Sequence, residues 1–402
     1  MVDVFRDTTQ ESLGARLKGA FGGILVGLAM FVAAFPLQWW NEGRAVHRRD
    51  SLNEGAAAVV YATPDRVDPA LEGRLVHLTG KVSAPAPLVD DAFGISADAL
   101  ALERDVEMYQ WREKRETKET RKLGGGTERT TEYSYSLAWN SDPVDSSDFR
   151  HREGHENPGA LPLASRKVSV DHAQLGAYTL DSGIAKRFDE WRAFDVPETA
   201  ASTDADFRRV ESGFYRGADP GAPKLGDVRV KFRHVPEGDY SFVAKQSGRG
   251  LAEYATKAGD GILLVEHGTH DAKEMFANAH SANEMLAWLL RGIGFALMWI
   301  GLSLVLRPIA VVADVVPLLG TLLSKGLGFV AFVFAACFSL LTIAAAWLRY
   351  RPGLGIALVV AVVLLVGWLR KRAPRVQPGV AMPPPPPATP PLGAIPPPPP
   401  AS

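Results

Sequence analysis

Four long apolar runs divide the chain, at residues 19–40, 285–306, 326–348 and 352–369. Among these runs only the second contains a charged side chain, Arg291. About 20 apolar helical residues cross the hydrocarbon core of a bilayer, so the pattern predicts four transmembrane helices. Trp39 and Trp40 close the first run, where aromatic side chains anchor a retained helix at the membrane interface.

The region between the first two runs, residues 41–283, has a different pattern, in which apolar and polar residues alternate. The alternation predicts β-strands at residues 75–82, 228–233 and 261–267. Residues 101–118 and 130–139 flank a charged tip that contains three glycines, which predicts a long β-hairpin. The fold class is therefore a membrane protein with four transmembrane α-helices and a large β-rich (α+β) extracytoplasmic domain inserted between spans 1 and 2.

Two helices are predicted inside this domain. One is indicated by apolar residues at helical spacing, Ile184, Phe188, Trp191 and Phe194. The other begins near Asp271, whose side chain suits a helix N-cap, and continues into the second apolar run.

Residues 308–325 contain small or polar residues on one helix face, at Ala310, Asp314, Pro317, Thr321 and Ser324. Because Asp314 and Pro317 interrupt the apolar character, the segment predicts an interfacial or re-entrant helix and not a further span. The last segment, residues 370–402, contains two runs of five prolines. This composition predicts a disordered tail in the polyproline II conformation.

Charge is unevenly distributed, although the whole chain is nearly neutral. Residues 41–283 contain 32 Lys and Arg against 40 Asp and Glu, a net charge of −8. Such a domain excludes nucleic acid as a partner, since phosphate contacts need net positive charge. Lys and Arg are more frequent on the side of the predicted membrane that carries both termini than on the side of the large domain. This difference predicts that residues 1–18 and 370–402 are cytoplasmic. The domain is then periplasmic or luminal.

Several strings of residues carry a family resemblance. They lie at residues 40–46, 51–55, 72–80, 104–113, 154–158, 226–230, 307–309 and 313–320. The first string contains Asn41, Glu42, Gly43 and Arg44, and the fourth contains Glu107, Tyr109 and Trp111. In this order the strings resemble the transmembrane protein 43 family, also called LUMA, over about residues 35–370.

The resemblance implies a four-span membrane protein with a large luminal domain between spans one and two. It implies no enzymatic activity, and it implies scaffolds that bind envelope partners in the eukaryotic relatives. A composition rich in Ala, Gly, Val and Arg favours a bacterial member. The predicted location is therefore the bacterial inner membrane, with the domain in the periplasm.

Two histidines are weak candidates for metal ligands. His151 and His155 are four residues apart, a spacing that lets two imidazoles share a metal on one helix. Gly154 and Pro158 favour a loop at this place, and the HExxH order is missing. The sequence therefore predicts no metal site and no cofactor.

Charged residues at the membrane are the other candidates for function. Arg291 is predicted to extend to the headgroups, to bond to another helix or to line an ion pathway. Asp314 is the one acidic residue among the C-terminal spans and is predicted on the opposite side of the membrane from Arg291. Residues 41–44 predict either a turn at Gly43 or a contact with a lipid headgroup or partner.

No catalytic set of residues is found, so the sequence predicts a non-enzymatic membrane scaffold or envelope-stress protein. Its partners are predicted to be the lipid bilayer and an unidentified envelope protein or lipid, and homo-oligomers are left open. One alternative is a channel or transporter subunit that uses Arg291 and Asp314. The other is a metal-dependent hydrolase at His151 and His155.

Overall fold

The computed structural model describes residues 3–122, 124–314, 317–353, 356, 357 and 360. Three of the described helices are long and apolar enough to cross a membrane. They are α1 (Leu13–Ala58), α3 (Ala272–Ala313) and α4 (Pro317–Tyr350). The predicted fourth span, 352–369, lies mostly outside the described residues, and the predicted proline-rich tail lies wholly outside them.

The helices extend well beyond the apolar runs. α1 begins after Ser12, whose hydroxyl accepts a hydrogen bond from the backbone of Ala15 at 3.3 Å, and it continues 18 residues past position 40. α3 begins directly after Asp271, as predicted, and continues into the second apolar run without a break. The helical bundle therefore projects out of the predicted membrane region and into the β-rich domain.

The first sheet has eight strands. Its central order is β1 (Asp3–Glu11), β7 (Thr127–Asn140), β6 (Ala99–Arg121), β14 (Val228–Pro236), β13 (Gly213–Arg216) and β12 (Arg208–Val210). Two shorter strands complete it, β8 (Arg166–Ser169) on β6 and β11 (Arg192–Ala193) on β14. The predicted hairpin is confirmed, because β6 and β7 pair from Met108–Asn140 to Arg121–Thr127.

The second sheet has seven strands. Its order is β10 (Tyr178–Leu180), β9 (Ala173–Leu175), β3 (Leu75–Ser83), β15 (Gly238–Ser247) and β16 (Gly250–Ala252). β19 (Leu264–His267) pairs with β15, and β2 (Val60–Tyr61) pairs with β3. Two small ribbons accompany the sheets, β4 (Leu88–Asp90) with β5 (Ile95–Ala97) and β17 (Tyr254–Ala255) with β18 (Gly261–Ile262). The strands predicted at 75–82, 228–233 and 261–267 are therefore present, the last with a break between β18 and β19.

Helices and sheets share a hydrophobic core where they meet. Leu52 of α1 and Met275 and Phe276 of α3 are buried with Val243 and Ile262 of the second sheet and its ribbon. Burial of such side chains stabilises a fold by about 1.5–3 kcal/mol each. The bundle and the domain are thus packed together directly and are not joined only by flexible linkers.

The predicted amphipathic helix at residues 184–194 is wrong. Only α2 (Ser182–Ala185) forms there, and β11 follows a few residues later. Ile184 and Phe188 are buried as the spacing suggested, but Phe194 donates its backbone N–H to Phe232 of β14. The edge of β14 supplies hydrogen-bond partners that a single-segment pattern cannot reveal, so the chain is extended here.

The N-terminal segment differs from its predicted place. β1 pairs with β7 in a continuous antiparallel ladder, from Asp3–Tyr135 to Glu11–Thr127. The prediction had separated residues 1–18 from the large domain by the membrane. In the structure residues 3–11 are a strand of the first sheet, so the β-rich part is not confined to the region between α1 and α3.

The interfacial or re-entrant helix predicted at residues 308–325 is not one continuous helix, and its relation to the membrane stays a prediction. α3 continues through Pro308 to Ala313, and α4 begins at Pro317. Proline lacks a backbone N–H and has a suitable φ for the first helical position, which makes Pro317 a natural start for a new helix. The small and polar face noted in the sequence is thereby divided between two helices.

Candidate functional site

A set of polar side chains is buried between the three long helices, near the end of the bundle that contacts the β-rich domain. Gln38, Asn41 and Glu42 of α1 are all 0% exposed. Because the surrounding helices are apolar, each buried polar group needs a partner inside the bundle. We call this set the interhelical network, and its members are Gln38, Asn41, Glu42, Arg44, Asn283, Arg291, Ser339 and Trp347.

Glu42 is the member that joins all three helices. Its carboxylate accepts hydrogen bonds from Nε and Nη2 of Arg291, at 2.6 and 2.9 Å. Trp347 of α4 donates a third through Nε1 at 2.8 Å. The Arg291 guanidinium also lies 4.7 Å from the ring centroid of Trp288. Arg291 therefore bonds across the helix interface, and this bidentate ion pair fixes α1 and α3 in one register.

A second group of contacts joins α1 to α3 one turn further along. Asn41 donates to the carbonyl of Ala287 at 3.0 Å. Arg44 donates to the side-chain oxygens of Asn283 at 3.0 Å and Asn41 at 3.3 Å. Asn283 in turn donates to the carbonyl of Ala45 at 2.9 Å. These carboxamides therefore connect each helix to the backbone of the other.

The network reaches α4 again through Gln38. Its Nε2 donates to the hydroxyl of Ser339 at 2.8 Å, and both side chains are buried. The Oε1 of Gln38 is also buried and has no hydrogen-bond partner within the part of the chain that the structure describes.

The predicted turn at residues 41–44 is wrong, because α1 continues through them without interruption. Gly43 does not adopt the unusual φ that a turn would need, and its role is close packing. A Cβ on Gly43 would lie 2.8 Å from Cζ of Tyr350, so any larger residue would require the Tyr350 ring to move. The polar residues remain helical because α3 and α4 supply the partners that a turn would otherwise have supplied.

A separate charged cluster lies at the other end of the bundle. Asp314, 1% exposed, accepts from Arg16 Nη2 at 2.5 Å and lies 3.0 Å from Nη1 of Arg121. Arg16 also donates to the carbonyl of Gly125 at the tip of the hairpin, at 2.5 Å. This cluster ties the hairpin tip to the start of α1 and the end of α3. Arg291 and Asp314 thus have different partners.

The histidines singled out as metal candidates pack against the N-terminal strand. His155 is buried, stacks on Tyr135 with ring centroids 4.1 Å apart, and lies 3.3 Å from the carboxylate of Asp3. His151 stacks on Phe5 at 4.3 Å. Among the described residues no group of three or more His, Cys, Asp or Glu could hold a metal ion. The two histidines therefore secure β1 to the domain.

Glu107, Tyr109 and Trp111 of β6, which belong to the strings that carry the family resemblance, make contacts within the domain. Burial raises the pKa of Glu107, but the hydrogen bond and charge of Arg229, 2.6 Å away, hold it below its ordinary value. Tyr109 packs on Trp139 with ring centroids 5.0 Å apart. The Trp111 ring contacts the buried histidine described above, at 4.7 Å. None of these groups is brought together with the interhelical network.

Comparison with known proteins agrees with the resemblance noted in the sequence. The family profile described as Transmembrane protein 43 matches residues 108–352. The human protein named Transmembrane protein 43 is 34% identical over 387 residues, covering 92% of this chain and 96% of its own. The mouse protein of that name is 36% identical over 350 residues, covering 84% of this chain and 86% of its own.

The chain belongs to the Transmembrane protein 43 family. A Drosophila melanogaster protein named Transmembrane protein 43 homolog is also 32% identical over 364 residues, or 87% of this chain and 94% of its own. No solved structure gives a significant match. The relatives named here are animal proteins, so the bacterial origin stays a prediction. Three apolar helices and this kinship together make the chain an integral membrane protein of the Transmembrane protein 43 family.

Four of the eight residues of the interhelical network were not predicted from the sequence, namely Gln38, Asn283, Ser339 and Trp347. The available signal was a polar side chain inside or beside an apolar run. Gln38 and Ser339 each interrupt such a run, and a polar residue at that depth needs a partner. Within this member of the Transmembrane protein 43 family, those two residues are partners of each other.

Proposed function

We propose that the protein is a non-enzymatic integral membrane scaffold that assembles with copies of itself. The observation that carries the proposal is a three-stranded sheet that extends beyond the rest of the domain. We call it the β-extension, and it consists of residues 3–11, 113–121 and 127–135. Each strand has nine residues, which at about 3.3 Å per residue gives a length of roughly 30 Å.

The β-extension runs beside the apolar bundle. At one end His155 of the domain contacts Asp3, and at the other end Arg121 contacts Asp314 at the end of α3. Its length is close to the hydrocarbon thickness of a bilayer, about 30 Å. A scaffold that is embedded through α1, α3 and α4 therefore carries this sheet alongside its membrane-spanning part.

Lipid is an unsuitable neighbour for the β-extension. Charged side chains alternate on both faces of its β6 strand, as in Glu113, Lys114, Arg115 and Glu116. Lys114 and Glu116 are largely exposed and form an ion pair at 2.6 Å. Charges at this density are costly in hydrocarbon, and unpaired strand edges are costly there as well. The sheet consequently needs a neighbour that is not lipid, and other copies of the chain supply one.

The two edges of the β-extension suit each other. Among the described residues no strand pairs with the outer edge of β1 or with the outer edge of β6 at 113–121. The two strands run in the same direction, since each is antiparallel to β7. β1 has a net charge of −2 and residues 113–121 have +1. Head-to-tail pairing of such edges closes into a ring when the rotation allows it.

In the proposed ring the β-extensions lie inward, in water, and the helices lie outward, towards lipid. The β-rich domain then lies on one side of the membrane and the tip at Gly125 on the other. A fourth span at residues 352–369 and the bacterial inner membrane remain parts of this proposal. The interhelical network supports a structural role, because its charged groups are engaged in contacts between helices.

The channel alternative finds no support inside a single bundle. Ala34, Met298 and Ala335 are fully buried in the middle of it and pack with Phe31 and Phe35. This apolar layer separates the interhelical network from the Asp314 cluster. The hydrolase alternative has no support either, since His151 and His155 are occupied by packing against β1.

The test is a disulfide between two different copies. Thr8 and Lys118 both pair with Thr130, from opposite sides, so in one chain their Cα atoms lie about 10 Å apart. A disulfide needs Cα atoms less than about 7 Å apart. The experiment co-expresses one tagged copy with Thr8→Cys and another with Lys118→Cys, both in a Cys337→Ser background. We expect a disulfide-linked dimer that joins the two different copies.

The matched control replaces Lys118→Cys by Lys257→Cys, an exposed position on the domain. Oxidation in membranes should give the cross-linked product with the first pair and not with the control. A monomer in detergent by light scattering, together with no cross-link in membranes from either pair, would contradict the assembly.

A further inference from the structure

A cavity of about 730 Å³ lies where the helical bundle meets the β-rich domain. Four cationic side chains line it, Arg44 and Arg48 of α1 and Lys186 and Arg187 just after α2. Asn283 and Leu286 of α3 form another part of its wall. The cavity is therefore bounded by elements from both the bundle and the domain.

The cations of this cavity bond to neutral groups. Arg48 donates to the carbonyl of Gly261 at 2.7 Å, and Arg187 to that of Leu263 at 3.3 Å. Arg44 donates to carboxamide oxygens only, as described above, and its Nε is buried without a hydrogen-bond partner among the described residues.

Carboxylates do not neutralise these cations directly. Asp189, Asp260 and Glu266 also line the cavity, and Glu266 accepts from Asn278 at 3.1 Å. Within the described residues, none of the four cations has a carboxylate oxygen within 4.0 Å. The wall therefore has a net charge of +1, and its positive groups are available to an anion.

One side of the cavity borders the predicted membrane surface. Leu286 is 40% exposed, and its neighbours Met285 and Leu289 are 72% and 59% exposed. These residues begin the second apolar run, so this face of α3 meets acyl chains. A ligand of this cavity can therefore have a charged head among the arginines and an apolar body along α3.

We propose that the cavity binds the phosphate-bearing headgroup of an anionic phospholipid. The phosphate accepts hydrogen bonds from Arg48 and Arg187, for which guanidinium geometry is well suited. The acyl chains follow Leu286 and Leu289. The proposal does not depend on assembly of copies, since every residue named belongs to one chain.

The test uses the full-length protein in detergent and native mass spectrometry after incubation with phosphatidylglycerol or phosphatidylcholine. The double variant Arg48→Gln/Arg187→Gln removes two cations of the cavity. Each cation near a membrane surface contributes about fivefold in affinity for anionic lipid. We expect retained phosphatidylglycerol to fall by at least about fivefold, while phosphatidylcholine is retained weakly by all forms.

The matched control, Arg66→Gln/Lys224→Gln, removes the same charge at exposed positions that do not line the cavity. It should retain phosphatidylglycerol like the unmodified chain. Lys186→Glu is a second variant, because the Lys186 side chain makes no hydrogen bond to the described residues. Circular dichroism checks that each variant is folded.

Three outcomes would overturn the proposal. One is equal retention of phosphatidylglycerol by folded cavity variants and the unmodified chain. Another is equal retention of the two lipids by the unmodified chain. The third is displacement of the lipid by equimolar inorganic phosphate, which would identify a soluble anion as the occupant. None of these outcomes bears on the disulfide test of assembly.

Discussion

At the scale of single residues, the stability of the helical bundle depends on how its buried charges are compensated. Glu42 is fully buried and accepts three hydrogen bonds, two of them from Arg291. A buried pair of this kind adds little net stability compared with apolar residues, but removal of one partner is costly. The contact therefore matters most when one partner is removed, because the other is then a buried charge without a counterion.

This reasoning predicts an asymmetric mutational result. Glu42→Gln should lower the free energy of unfolding by about 3–5 kcal/mol, because Arg291 is left as a buried charge without a counterion. Glu42→Gln combined with Arg291→Gln should recover part of that loss. Denaturant unfolding in detergent measures both values. A double variant that loses the sum of the two single losses would contradict the pairing.

At the scale of elements, the helices approach each other where glycines meet. Gly27 of α1 faces Gly301 of α3, and a Cβ on Gly27 would lie 2.6 Å from the carbonyl oxygen of Gly301. Small residues permit such close approach in membrane bundles. Gly23 and Gly27 have the GxxxG spacing that permits close helix packing, but this spacing does not indicate which helix is the partner.

Gly27→Val should separate α1 from α3 and lower stability by about 1–3 kcal/mol, the usual effect of overpacking. Gly22→Val is the matched control, because no atom of the described residues lies within 4 Å of a Cβ placed there. Thermal unfolding in detergent compares the two. If both variants unfold at the same temperature, the close approach at Gly27 does not contribute to the stability of the bundle.

At the scale of the whole molecule, the bundle and the domain form one packed unit. Leu52 of α1 is fully buried against Met275, Phe276 and residues of the second sheet. Such a shared core couples the stability of two parts that the sequence presents as an anchor and a separate domain. The Asp314 cluster adds a second point of attachment, through the hairpin tip.

Leu52→Ala should therefore destabilise the bundle and the domain together, by about 2–5 kcal/mol. Tryptophan fluorescence and near-ultraviolet circular dichroism should follow one transition, shifted equally in both signals. Leu225→Ala, at a position 40% exposed, is the control and should leave the transition in place. Two separate transitions, of which only one moves, would indicate independent units.

The sequence by itself determined the features that local pattern and composition control. Apolar runs of bilayer length identified the helices, period-two alternation identified long strands such as β3 and β14, and the glycine tip identified the hairpin. Ordered strings of residues identified the family. The runs, the alternation and the glycine tip each lie within one segment of chain, and the strings are recognised by their order, so no knowledge of spatial contacts is needed.

Only the tertiary structure decided which segments meet. Residues 41–44 resembled a turn, yet they remain helical because α3 and α4 supply their hydrogen-bond partners. Residues 1–18 resembled a short tail, yet residues 3–11 form a strand because β7 has a free edge, and α1 begins at Leu13. In each case the deciding free energy comes from contacts between residues more than 100 positions apart, which no local pattern records.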